Sequence, residues 1–199
     1  DIPHYIDALF ETVSGFTTTG ASILANVEGL TKGCLYWRSF THWLGGMGVL
    51  VFLLAFTGEQ GKGFTMHLLR AESPGPDVGK LVPQMRKTAA ILYIIYCVMT
   101  VINIAFLLAG GMNLFESLVH AFGTAGTGGF AIRSTSTAEY SVYVQSVITV
   151  FMLLFGVNFN LYYLILIRRF RAALKSREFW TYLAIIAAAT AVITVNLHG

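Results

Sequence analysis

Residues 117–132 read Ser-Leu-Val-His-Ala-Phe-Gly-Thr-Ala-Gly-Thr-Gly-Gly-Phe-Ala-Ile, a run of 16 with no Asp, Glu, Lys or Arg. As a helix it would be about 24 Å long, short of the roughly 30 Å hydrocarbon core of a bilayer. Its second half is also rich in Thr and Gly, which a helix does not keep. The segment is apolar enough to enter a membrane and too short to leave by the far side. Irregular backbone at membrane depth survives only where it is buried in protein or lines a watery path, so the segment predicts a re-entrant helix and loop.

The rest of the chain supports a membrane setting. Of 199 residues, 55% are hydrophobic and 12% are charged, against about 25% charged in soluble domains. The net charge of +3 is small, and the basic residues are confined to blocks, which argues against a nucleic-acid partner. Cys34 and Cys97 stand far apart in apolar surroundings, the pattern of small buried residues rather than of a disulfide scaffold or a thiolate metal site. The chain opens at Asp1-Ile2-Pro3 with no initiating Met and no signal pattern, and reads as a piece of something longer.

Further charge-free stretches run over 12–27, 39–58, 88–115, 140–167 and 179–199. All but 12–27 reach the length of about 20 residues that a spanning helix needs. Five of the 13 basic residues lie in 57–87 and five in 168–177, so both segments are expected on the cytoplasmic side. Two loops on one side require an even number of crossings. Three apolar segments intervene, 88–109, 117–132 and 140–167, so the short one turns back.

The other short stretch resembles it. Asp7-Ala8-Leu9-Phe10-Glu11 through Thr18-Thr19-Gly20 can be laid on Asn113-Leu114-Phe115-Glu116 through Thr124-Ala125-Gly126 with Phe-Glu pairs 105 apart and Gly20 and Gly126 106 apart. The repeated unit is a short helix, a polar Gly loop and a spanning helix, inserted in the same direction each time. Thr18-Thr19-Gly20 and Thr124-Ala125-Gly126-Thr127-Gly128 share the form Thr-x-Gly, and the second has the spacing of a filter that replaces a cation's water shell with backbone carbonyls. Pore helices near 5–16 and 113–122 would direct their negative C-terminal ends at the ion. Asp7, Glu11 and Glu116 are read as acids suited to helix N-termini. Gly45-Gly46-x-Gly48 is read as a site of close packing.

With these motifs in place, the chain resembles the potassium-uptake superfamily of Trk, Ktr and HKT transporters, closest to the TrkH type. The carrying residues are Asp7-Ala8-Leu9-Phe10-Glu11 with Gly15-Phe16-Thr17-Thr18-Thr19-Gly20-Ala21, Trp43-Leu44-Gly45-Gly46-Met47-Gly48, Arg70-Ala71-Glu72-x-Pro74-Gly75-Pro76 and Gly128-Gly129-Phe130. The resemblance implies an all-α polytopic membrane protein of repeated helix–pore loop–helix units with re-entrant pore helices. On that plan 1–56 holds the pore loop and second helix of a first unit, 57–87 a cytoplasmic linker, 88–167 a complete second unit, and 168–199 a cytoplasmic turn and the first helix of a third.

The same resemblance implies K+ uptake across a bacterial inner membrane by a homodimer, with K+ bound in the filter by Thr18, Thr19, Gly20, Thr124, Ala125, Gly126, Thr127 and Gly128. It implies no covalently bound cofactor, nucleotide only on a TrkA-like cytosolic regulatory subunit, and membrane lipid around the helices. Arg70, Lys80, Arg86, Lys87, Arg168, Arg169 and Arg171 are expected to face that regulator or lipid headgroups. Competing classes are a Na+-permeable or proton- or Na+-coupled secondary transporter, which would usually show inverted repeats, and a non-conducting structural subunit, which would not need paired Thr-x-Gly loops. No His-Glu-x-x-His helix and no Asp within an expected span speak for an intramembrane protease, so no enzyme activity is expected. Gly156, Asn158 and Asn160 interrupt 140–167 and mark a hinge or a cavity-side kink, an ordinary helix–helix hydrogen bond being the alternative.

Overall fold

A computed structural model describes residues 2, 4–48 and 82–198. Most of the expected linker, with Arg70 and Lys80, falls in 49–81, outside the described residues. Among those described there are only helices: α1 Tyr5–Phe16, α2 Lys32–Gly46, α3 Val82–Ala109, α4 Leu114–Ala125, α5 Val142–Phe155, α6 Phe159–Leu166, α7 Phe170–Leu174 and α8 Arg177–His198. They fall into two compact units, 1–155 and 156–199.

In the first unit, the 28-residue α3 is long enough to cross a bilayer, and its Thr88–Ala109 portion is apolar enough to do so. It begins at Val82, so its first turns come from the stretch read as linker. In contrast, α1 and α4 have 12 residues each, about 18 Å, and cannot cross. Asn113 caps α4 by accepting from the Glu116 amide at 2.9 Å, and Thr31 caps α2 by accepting from the Cys34 amide at 3.4 Å. Each satisfies an amide that the helix leaves without a partner.

The core of this unit joins α3, α4 and α5 through Leu107, Met112, Ala121, Val144 and Ile148. An aromatic cluster attaches α2. The Trp43 ring lies 5.4 Å from that of Tyr96 and 5.6 Å from that of Phe122, its indole N–H donates to Thr100 Oγ1 at 3.1 Å, and the Tyr96 hydroxyl donates to the Trp43 carbonyl at 2.8 Å. Rings with polar handles suit this junction, because each N–H or O–H finds a partner where water is absent.

The second unit contains the apolar helix α8, whose 177–197 portion is long and apolar enough to span a membrane. Its large apolar residues, among them Leu183, Ile185, Val192 and Val195, are exposed, a surface that lipid tolerates and water does not. Gly156 to Asn158 separate α5 from α6, at the expected interruption. Asn158 is engaged on both sides: its Oδ1 accepts from the Asn160 amide at 2.9 Å, and its Nδ2 donates to both carboxylate oxygens of Glu178 at 3.0 Å. It caps α6 and ties it to the first turn of α8. The side chain of Asn160 is exposed.

Candidate functional site

Both short helices stop at a residue in right-handed conformation, Thr17 after α1 and Gly126 after α4. From there the two backbones repeat each other. Thr18 has φ 55° and Gly20 φ 74°; Thr127 has φ 57° and Gly129 φ 76°. Thr17 donates its amide to Val13 and Thr18 to Gly15, while Gly126 donates to Phe122 and Thr127 to Thr124. The structural register is therefore 109, not 105 or 106. It lays α1 on α4 end to end, Asp7 on Glu116, Thr18 on Thr127 and Gly20 on Gly129.

In this register part of the expected residue set falls within a helix. Thr124 and Ala125 lie in the last turn of α4 and are buried at 2% exposure each, and the Thr124 hydroxyl donates to the His120 carbonyl at 2.7 Å. Their place in the helix leaves the extended loop to Thr127, Gly128 and Gly129, with Gly126 as the helix cap. Gly129, which the sequence alignment left out of the candidate set, is the counterpart of Gly20. A β-branched residue at positive φ is costly and persists only where its surroundings fix it. Thr18 and Thr127 are such a matched pair.

The two loops touch. A Cβ on Gly20 would overlap the carbonyl oxygen of Gly128, and one on Gly128 would lie 2.9 Å from the carbonyl oxygen of Thr18. Behind them runs α2. A Cβ on Gly45 would meet the end of α1 and come within 3.0 Å of Thr18 Cγ2, and one on Gly46 would lie 2.8 Å from Gly126 Cα and 3.0 Å from the Ala125 carbonyl oxygen. Close packing is thus the role of this Gly pair, and its partners are the two loops' helix ends.

A buried ion pair that the sequence did not reveal anchors the first loop. Glu11 stands mid-helix at 2% exposure, not as an N-terminal cap, and its Oε2 accepts from Arg38 Nε at 2.7 Å. Its Oε1 accepts from the Ser22 hydroxyl at 2.7 Å and the Ile23 amide at 2.8 Å. Ser14 Oγ donates to the Ala21 carbonyl at 2.6 Å. Together these bonds hold the chain leaving the loop against the helix entering it. Arg38, 5% exposed, also places its guanidinium 4.4 Å from the centre of the Phe130 ring, a cation–π contact that reaches the second loop. On that loop the Gly129 amide donates to the Gly123 carbonyl at 3.1 Å.

What the arrangement offers chemically is a pair of uncharged, hydroxyl- and carbonyl-bearing loops, each at the C-terminal end of a helix. No cluster of three or more His, Cys, Asp or Glu suited to a metal occurs among the described residues.

Comparison with known proteins bears on the family and the fold. Trk system potassium uptake protein TrkH of Halomonas elongata is 38% identical over 159 residues, which cover 79% of this chain and 33% of that protein. TrkH of Escherichia coli is 37% identical over 162 residues, covering 80% and 33%, and TrkG of the same species 38% over 167, covering 83% and 34%. The chain thus spans about a third of the length of these curated relatives. The crystal structure of the potassium transporter TrkH from Vibrio parahaemolyticus superposes with a TM-score of 0.68 at 28% identity, over 95% of this chain and 37% of that one. The fold is that of an all-α polytopic membrane protein with re-entrant pore helices. The family model described as TrkH, cation transport protein, matches residues 2–194, and the chain belongs to that family.

Proposed function

We propose that this chain forms part of a K+ uptake pathway through a bacterial inner membrane, with Thr18–Gly20 and Thr127–Gly129 contributing two edges of a carbonyl-lined selectivity filter. The observation that carries the reading is the matched pair of loops: two helices of equal length end in the same alternation of negative and positive φ, and the loops that follow them meet at Gly20 and Gly128. Alternating the hand of successive residues turns successive N–H groups to one side of the chain and leaves carbonyls for the other, where a dehydrated cation needs them. Helix ends supply further negative potential without a full charge. Gly126 and the helical residues Thr124 and Ala125 support the second loop from behind.

The relatives are named as potassium uptake proteins, which favours K+ as the ion. A cytosolic nucleotide-binding regulator belongs to the same proposal, as does a homodimeric membrane subunit. Arg168, Arg169, Arg171, Lys175 and Arg177 are exposed around α7 and offer a basic surface to such a partner or to anionic headgroups.

Substituting the two equivalent glycines in the full-length protein, reconstituted in liposomes, tests the filter. Gly20→Ala and Gly129→Ala each force a Cβ onto a backbone of positive φ, and each is expected to lower the ratio of K+ to Na+ flux by about tenfold or more, a change of some 1.4 kcal/mol in relative barrier. An unaltered ratio in both variants would remove the loops from the ion path.

A further inference from the structure

His42 lies one turn after Arg38 on α2 and is completely buried, at 0% exposure. A buried polar ring is costly when it lacks hydrogen bonds, and neither ring nitrogen of His42 has a hydrogen-bond partner among the described residues. An apolar side chain would avoid that cost, so packing alone does not account for an imidazole here. Its surroundings are the two loops. Nε2 lies where the two loops meet, beside Gly128 and the Thr18 carbonyl. A Cβ on Gly128 would overlap that nitrogen and lie 2.9 Å from the Thr18 carbonyl oxygen, and a Cβ on Gly126 would lie 2.6 Å from the carbonyl oxygen of His42 itself. The far side of the ring meets the edge of Phe130, with centroids 4.5 Å apart.

The tip of the His42 ring therefore packs beside the place where Thr18 and Gly128 approach each other. We propose that His42 is a positioning residue that braces the contact between the two loops and thereby sets the ion selectivity of the pathway, a role that rests on the filter reading above. The imidazole touches no ion. It acts as a rigid brace packed beside the point where the Thr18 carbonyl and the Gly128 backbone meet, filling the space into which either could shift. Interiors transmit such spacing because they are close-packed, and a filter discriminates between cations by the geometry and field of its carbonyls.

The test uses the full-length protein in liposomes, with K+ and Na+ fluxes normalised to the amount of monodisperse protein, so that a loss of folding alone leaves the ratio unmoved. His42→Ala is expected to reduce the K+/Na+ flux ratio by about tenfold, the order found when a contact between neighbours is lost. In the double variant His42→Ala/Gly128→Ala the ratio is expected to fall by less than the product of the two single effects, because the new methyl occupies space the ring has left. Should His42→Ala fold poorly, His42→Gln, which keeps a neutral N–H donor on a thinner side chain, is expected to give an intermediate ratio. A wild-type ratio in the folded His42 variants, or single effects that simply multiply, would overturn the proposal. Gly20→Ala and Gly129→Ala measured alongside separate the two claims: if they shift the ratio while the His42 variants do not, the brace is wrong and the filter stands. If none of the variants shifts it, both fall.

Discussion

Glu11 and Arg38 are charged groups at 2% and 5% exposure, and their burial makes them sensitive residues of α1 and α2. Breaking a buried pair leaves the remaining charge without a partner, which costs about 3–5 kcal/mol, whereas removing both partners is far milder. Glu11→Gln in the full-length protein is accordingly expected to lower the thermal midpoint in detergent clearly, and Glu11→Gln/Arg38→Met to recover part of that loss. A midpoint for Glu11→Gln equal to the wild type would mean that the pair carries no stability. The pairing was hard to read because 27 positions separate the partners and Glu11 resembles an acid at a helix start. One signal was available, since each residue stands at the edge of a charge-free stretch, 12–27 and 39–58. Gly20 was legible from its Thr-x-Gly setting. Gly129 was not, because the Phe-Glu identities pulled the second loop out of register.

Several helices followed from the apolar stretches, but α2 begins at Lys32, seven residues before the stretch 39–58. The expected α1 agrees with Tyr5–Phe16, while α4 runs three residues past its expected end and α3 starts at Val82. The extension of α4 sets tertiary packing against propensity: Gly123 and Thr124 are poor helix formers, yet Thr124 is bonded back to His120 and both positions are buried. At this scale the sharpest test is a pair of glycines on α2. Gly46→Ala drives a methyl to 2.8 Å from Gly126 Cα and 2.6 Å from Tyr96 Oη and is expected to destabilise by about 1–3 kcal/mol through overpacking. Gly33→Ala, on the same helix with nothing within 4 Å, is expected to stabilise by roughly 0.4–1 kcal/mol through the unfolded chain. Thermal unfolding of both variants checks the contrast, and equal effects would refute the account of α2 as a strut packed on the loops.

At the largest scale described, the repeat relates α1 and its loop to α4 and its loop. With a 109-residue register, Leu9, Thr18, Gly20 and Ile23 fall on Leu118, Thr127, Gly129 and Ile132, and no insertion is needed from the start of each pore helix to the end of its loop. The fold class was legible in the sequence because a segment too short to cross, placed between spans, permits few topologies. The site was only partly legible, because the residues that hold it together meet across helices rather than along the chain. The central claim is that both loops present carbonyls to one permeating ion. Its most direct measurement is an anomalous difference map of the full-length protein crystallised with Tl+ in place of K+. The account predicts a peak beside the carbonyls of Thr18–Gly20 and Thr127–Gly129 together; peaks confined to other parts of the protein, with none beside these loops, would contradict it.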